Sequence, residues 1–233
     1  MDNREKKGFL KLVRLLYEND CLEHVVLIGS WAEFLYMEDK RLPGYEANIR
    51  TLDVDFLVKN LRRPAKQVNL ISLAKQNGFL VDSDRLTGVT KFQLEEGLEV
   101  EFLISKRGAG EEAALKTNLG ITAQSLRHME MLKENTIVID YFGMKIEVPS
   151  PEAFVLHKMI INRERKQKSA KDRDAIDRMY QHLDMAEFGR IKDRLTNKER
   201  QRIDEYLETY IMPEMKQRVK VEEAKNKYRR SLS

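Results

Sequence analysis

Asp53 and Asp55 stand two residues apart in Thr51-Leu52-Asp53-Val54-Asp55-Phe56-Leu57-Val58, a segment with the residue types of a strand. Residues i and i+2 of a strand share a face. Both carboxylates therefore point the same way, and Leu52, Val54, Phe56 and Val58 are expected to point into a core. Aspartate is depleted in strands, and like charges side by side repel, so the pair calls for compensation. A divalent cation supplies it: Mg²⁺ (or Mn²⁺) favours carboxylate oxygens together with water and substrate phosphates. Glu99 and Glu101 repeat the pattern in Leu98-Glu99-Val100-Glu101-Phe102-Leu103-Ile104. If this strand pairs beside the first, one of the two glutamates can complete a three-carboxylate cluster. Two cations held that way can polarise a phosphate, ease deprotonation of an attacking hydroxyl and stabilise a leaving pyrophosphate. Taken singly, either segment also reads as a strand with one wet face, because Asp-x-Asp is short and common.

Gly29-Ser30 narrows that choice. It follows the apolar run His24-Val25-Val26-Leu27-Ile28, a buried strand by its β-branched content, and precedes a helix starting near Trp31. Ser30 and Glu33 have the spacing of a capping box, which accounts for the serine without any ligand. The same geometry aims free backbone N–H groups and the positive helix end outward, where triphosphate oxygens can sit. Glycine lets a phosphate approach the backbone closely. Strand, Gly-Ser, helix and then an Asp-x-Asp strand is more specific than either motif alone.

The remaining elements frame these motifs. A first helix is expected over 5–18, a helix over 64–77 closed by Gly78, and a helix over 122–132. Hairpins are expected at 89–104, turning at Glu95-Glu96-Gly97, and at 136–148 around Phe142-Gly143. The stretch 107–120 reads as an irregular loop. Ser150-Pro151-Glu152 is a helix start, a capping serine before a proline. From there only helical periodicity remains, with breaks near Ser169, Asp184, Asn197 and Pro213. The chain thus divides into an α/β part, 1–149, and a helical part, 150–233.

The bulk composition sets outer bounds. With 233 residues, 42% hydrophobic and 34% charged with mixed signs, the chain can bury a substantial core and is not disordered. Its net charge is +4, concentrated between Lys216 and Arg230. A basic terminal segment suits an acidic partner such as RNA, and equally a solvated helix end. The single cysteine, Cys21, can form no intrachain disulfide. No apolar stretch is long enough for a membrane span, and Met1 to Lys7 is charged, unlike a signal peptide. A cytoplasmic location is the default expectation; the oligomeric state is not legible.

The order Val26-Leu27-Ile28-Gly29-Ser30-Trp31-Ala32, Arg50-Thr51-Leu52-Asp53-Val54-Asp55-Phe56-Leu57-Val58, then Val100-Glu101-Phe102-Leu103 resembles the nucleotidyltransferase superfamily with the DNA-polymerase-β-like fold. With Val148-Pro149-Ser150-Pro151-Glu152, His157-Lys158 and Lys171-Asp172 it looks more narrowly like predicted bacterial and archaeal nucleotidyltransferases related to the AbiEii-type toxin group. The resemblance spans about residues 24–180. It implies a mixed sheet with flanking helices followed by an all-helical part. By this resemblance Gly29 and Ser30 contact the triphosphate, Asp53 and Asp55 bind metal, and Glu101, better than Glu99, takes the third carboxylate position. Many relatives have aspartate there, so the glutamate is a departure. Lys158 and Lys171 would steady the nucleotide phosphates, with Arg165 a further candidate. His128 is read as packing, and Trp31 as core or a base-stacking ring. The implied reaction moves a nucleoside monophosphate from a nucleoside triphosphate to an acceptor hydroxyl on RNA, protein or a small molecule, releasing pyrophosphate. Two other readings stay open: a non-catalytic nucleotide- or RNA-binding module on the same fold, and the toxin component of a toxin–antitoxin pair.

Overall fold

The computed structural model describes residues 2–47, 51–59, 68–106, 113–166 and 168–211. Helix α1, Asn3–Glu18, opens on a capping box between Asp2 and Glu5 and buries Phe9, Leu12, Val13 and Leu16. Strand β1, Val25–Ile28, is buried throughout and runs through Gly29 into α2, Ser30–Glu38. Strand β2, Asp53–Val58, follows, then α3, Leu70–Gln76, whose first turn is capped by Asn69. Gly78 leaves that helix at a φ of 77°, as its capping role requires. Residues 64–67 of the expected 64–77 helix lie outside the described residues.

Strands β3 (Leu80–Ser83), β4 (Thr90–Gln93), β5 (Glu99–Ser105), β6 (Ala114–Lys116) and β7 (Thr122–Leu126) complete a mixed sheet. Its central path runs β1-β2-β5-β4-β3. β2 and β5 are parallel and the other pairs on this path are antiparallel. One edge of β5 is shared: Glu99 to Glu101 pairs with β4, and Leu103 to Ser105 pairs in parallel with β7. One sheet face, carrying Val54, Phe56, Val100 and Phe102, is buried in the main core. The other face divides along its length. Ile28, Leu57 and Leu103 are covered by Met129 and Leu132, whereas Asp53, Asp55, Glu99 and Glu101 line a cleft.

A short helix, α4 (Glu130–Glu134), leads to the hairpin β8 (Thr136–Tyr141) and β9 (Met144–Pro149), which turns at Phe142-Gly143 as expected. Then come α5 (Pro151–Ile161), capped by Ser150, α6 (Ser169–Tyr180), α7 (Met185–Asp193), capped by Asp184, and α8 (Asn197–Tyr206), capped by Thr196. α5 is buried from Pro151 to Ile160, and its Leu156 and Met159 share one core with Phe9, Phe56 and Phe102 of the sheet. The hydroxyl of Tyr36 on α2 donates to the carbonyl of Pro149 at 2.7 Å, tying α2 to the end of β9. No described helix is long and apolar enough to cross a membrane. Pro213 and the basic segment 216–230 lie outside the described residues.

Several expectations are corrected. The stretch 122–132 is not one helix but β7 followed by α4. Alternate burial of Ala123 and Ser125 answers to the open edge of β5, and only Met129 to Leu132 keeps the helical packing. The expected loop at 107–120 contains β6, and β3 went unread. Leu52 is 44% exposed, because β2 begins only at Asp53.

Candidate active site

The site starts from sheet register. β2 and β5 run side by side with Asp53 opposite Glu99 and Asp55 opposite Glu101. The burial of Val54, Phe56, Val100 and Phe102 fixes which way both strands face, so all four carboxylates emerge on one surface. Asp55 also sits opposite Ile28 of β1, directly before Gly29. Gly29 has a φ of 68°, and a Cβ there would stand 2.6 Å from Asp55 Oδ2. The glycine is thus required twice, for its backbone conformation and for the approach of the carboxylate. Burial, then the charges of Glu101 and Asp53, push the Asp55 carboxyl up to about 6; Lys168 and Arg165 partly oppose them.

These groups form one wall of a cleft of about 420 Å³. The facing wall comes from α5 and the turn after it: Phe154, His157, Lys158, Arg165 and Lys168. The floor is apolar, from Leu103, Leu126, Met129 and Leu132. Lys168 Nζ lies 4.0 Å from Asp53 Oδ2. Lys158 is buried, with its ammonium 2.8 Å from Asp172 Oδ1, 3.9 Å from Glu33 Oε1 and 4.8 Å from the centre of the Phe154 ring. Arg165 reaches Asp172 Oδ2 at 3.5 Å. His157 is buried beside Lys158, and that desolvation brings its imidazole down to about 3, so it is neutral. His128 lines the cleft with Nδ1 2.7 Å from Glu199 Oε1.

The structure brings Asp53, Asp55, Glu99, Glu101, Gly29 and Lys158 to one cleft. Lys171 is exposed and does not line it. Ser30 is the first helical residue of α2, and Gly29 is its cap; no side chain caps this end. The expected Ser30–Glu33 capping box is therefore absent. Glu33 is drawn inward instead, accepting from the Tyr45 hydroxyl at 2.9 Å near Lys158. Its carboxyl is raised, by burial first, with Lys158 opposing. Trp31 is fully buried and stacked on Phe9 at 4.3 Å, so it is core.

A family model described as a nucleotidyltransferase matches residues 9–187, which includes every element of the cleft named so far except Glu199. The chain belongs to this nucleotidyltransferase family. Among solved structures it is similar to an antigenic nucleotidyltransferase-like protein from Paracoccidioides brasiliensis, with a TM-score of 0.52 and 15% identity over 94% of each chain. That likeness supports a shared fold. A solution structure of the antibiotic-resistance factor ANT(2'')-Ia matches at a TM-score of 0.46 and 14% identity, covering 94% of this chain and 99% of that one. No curated protein matches the sequence.

For a nucleotidyltransferase, the ligand set for a cation is the central question. Asp53 and Asp55 fit one divalent ion: two carboxylates on one face, the deeper one driven up by burial first and then by the charges of Glu101 and Asp53. Glu101 is differently placed. Its Oε1 is 2.5 Å from Lys91 Nζ, which also holds Glu99 Oε1 at 2.7 Å. Among the described residues no three His, Cys, Asp or Glu side chains are grouped so as to hold a metal ion. Sequence reasoning passed over Lys91 and Arg127, placed Lys168 only within a basic run, and read His128 as packing although it lines the cleft. Lys91 alone left a signal: a hairpin turning at Glu95-Glu96-Gly97 puts it opposite Glu101.

Proposed function

We propose that the chain transfers a nucleoside monophosphate from a nucleoside triphosphate to an acceptor hydroxyl and releases pyrophosphate, with Mg²⁺ or Mn²⁺ bound by Asp53 and Asp55. The observation carrying this reading is the parallel β2–β5 register that sets Asp55 beside Glu101, with Gly29 against the Asp55 carboxylate. In such a site the cation would lower the charge on the phosphates and favour in-line attack. The chain's own groups do the rest. The backbone at Gly29 and Ser30, where α2 begins without a side-chain cap, suits triphosphate oxygens. Lys168, Arg165 and Lys158 face the acids across the cleft and suit the same phosphates, with Lys171 held as a more distant candidate. In this reading residues 1–149 supply the acids and 150–233 the cations of the facing wall, and the protein works in the cytoplasm.

The test is incubation with each labelled nucleoside triphosphate, Mg²⁺ or Mn²⁺, and RNA or protein fractions. We expect label transfer, reduced by at least about 100-fold in Asp53→Asn/Asp55→Asn. Triphosphate binding without transfer to any acceptor would favour a non-catalytic binding module. Growth arrest on expression, lost in the same double variant, would place the protein with toxins of the AbiEii type.

A further inference from the structure

We propose that Lys91 stands in for the second divalent cation, so that this site takes one metal ion where two are expected from its carboxylates. The proposal rests on the reading of Asp53 and Asp55 as cation ligands. Across the sheet, Asp55 of β2, Glu101 of β5 and Lys91 of β4 occupy consecutive positions of one row. Thr90 and Phe92, on either side of Lys91, are both buried, which fixes the lysine on the acidic face. Its ammonium bridges Glu99 Oε1 at 2.7 Å and Glu101 Oε1 at 2.5 Å.

Charge balance points the same way. The face carries four carboxylates, and among the described residues two ammonium groups lie within 4.0 Å of them, Lys91 at the glutamates and Lys168 at Asp53. Lys91 thus occupies the glutamates and leaves Asp53 and Asp55 as the carboxylate pair open to a divalent ion. A carboxylate oxygen held by an ammonium at hydrogen-bond distance has given up its best lone pair, and a second ion would meet the lysine's charge at close range. Lys91 is therefore a positioning residue. It orients the Glu101 carboxylate beside Asp55 and sets how many cations the site admits.

Mn²⁺ binding to the full chain without nucleotide, followed by electron paramagnetic resonance, tests this independently of activity. We expect about one bound Mn²⁺ per chain for the native protein and about two for Lys91→Met, where the freed glutamates join Asp55. Lys91→Arg keeps the positive charge and should return the count to about one. Melting temperatures confirm that each variant is folded. Two ions on the native protein, or one on a folded Lys91→Met protein, overturns the proposal while leaving Asp53 and Asp55 in place. Retention of the native count in Asp53→Asn/Asp55→Asn instead overturns the metal reading beneath it, and the proposal with it.

Discussion

Gly29 shows how little freedom single residues have at this site. Its φ of 68° is costly for any residue with a Cβ, by about 1–2 kcal/mol. The larger consequence is local: the Cβ would stand 2.6 Å from Asp55 Oδ2, so one partner must move. The movable partner is the Asp55 side chain. Gly29→Ala should therefore lower stability by a modest amount, about 1–3 kcal/mol, and cut nucleotidyl transfer by about 100-fold or more, since small displacements of a positioned group are expensive. Urea unfolding and label transfer, measured on the same preparation, separate the two effects. Native-like transfer by a folded Gly29→Ala protein would mean that the Asp55 carboxylate does not need its present position.

At the scale of elements, β5 is the hinge between core and chemistry. Phe102 lies between Glu101 and Leu103, and its ring is 5.9 Å from Phe56 and 5.3 Å from Phe92. This trio anchors β2, β4 and β5 from behind, at the level of the acids. Phe102→Ala should cost about 3–5 kcal/mol of stability in urea unfolding. A cost under about 1 kcal/mol would show that the sheet can close over the gap and that the register does not depend on this stack. How much was legible in the sequence follows the same division. Val25–Ile28, Gly29 and the acidic strand were readable because their signals are local: β-branched runs, a glycine turn and alternation of period two. The segment 122–132 was not. Leu126, Met129 and Leu132 have helical spacing, yet Thr122–Leu126 is made a strand by the free edge of β5, a partner about twenty residues earlier. Lys91 was readable in principle from hairpin register, whereas Lys168 reaches the cleft through the packing of α5 and α6 on the sheet, and His128 through the turn after β7, whose place depends on its pairing with β5.

For the whole molecule, the decisive fact is that the helical part and the sheet share one core. α5 lies in that seam, so His157, on the cleft side of it, is desolvated and its imidazole stays neutral down to about 3. Its charged neighbours add to the effect: Lys158 first, then Arg165, with Glu199 opposing. An unfolded chain protonates the same histidine near the ordinary value of 6.5. Below that pH the unfolded state binds a proton that the folded state refuses, so folding stability falls as pH falls from about 6.5 towards 3. Between pH 7 and pH 5 the loss attributable to this one group is on the order of 2 kcal/mol. His157→Gln removes the titration without removing a polar side chain of similar reach. Urea midpoints of the two proteins, measured over that range, should therefore converge on acidification even if the variant starts lower at neutral pH. Parallel midpoints would show that the seam opens enough to hydrate His157, and that sheet and helices are less tightly joined than their common core implies.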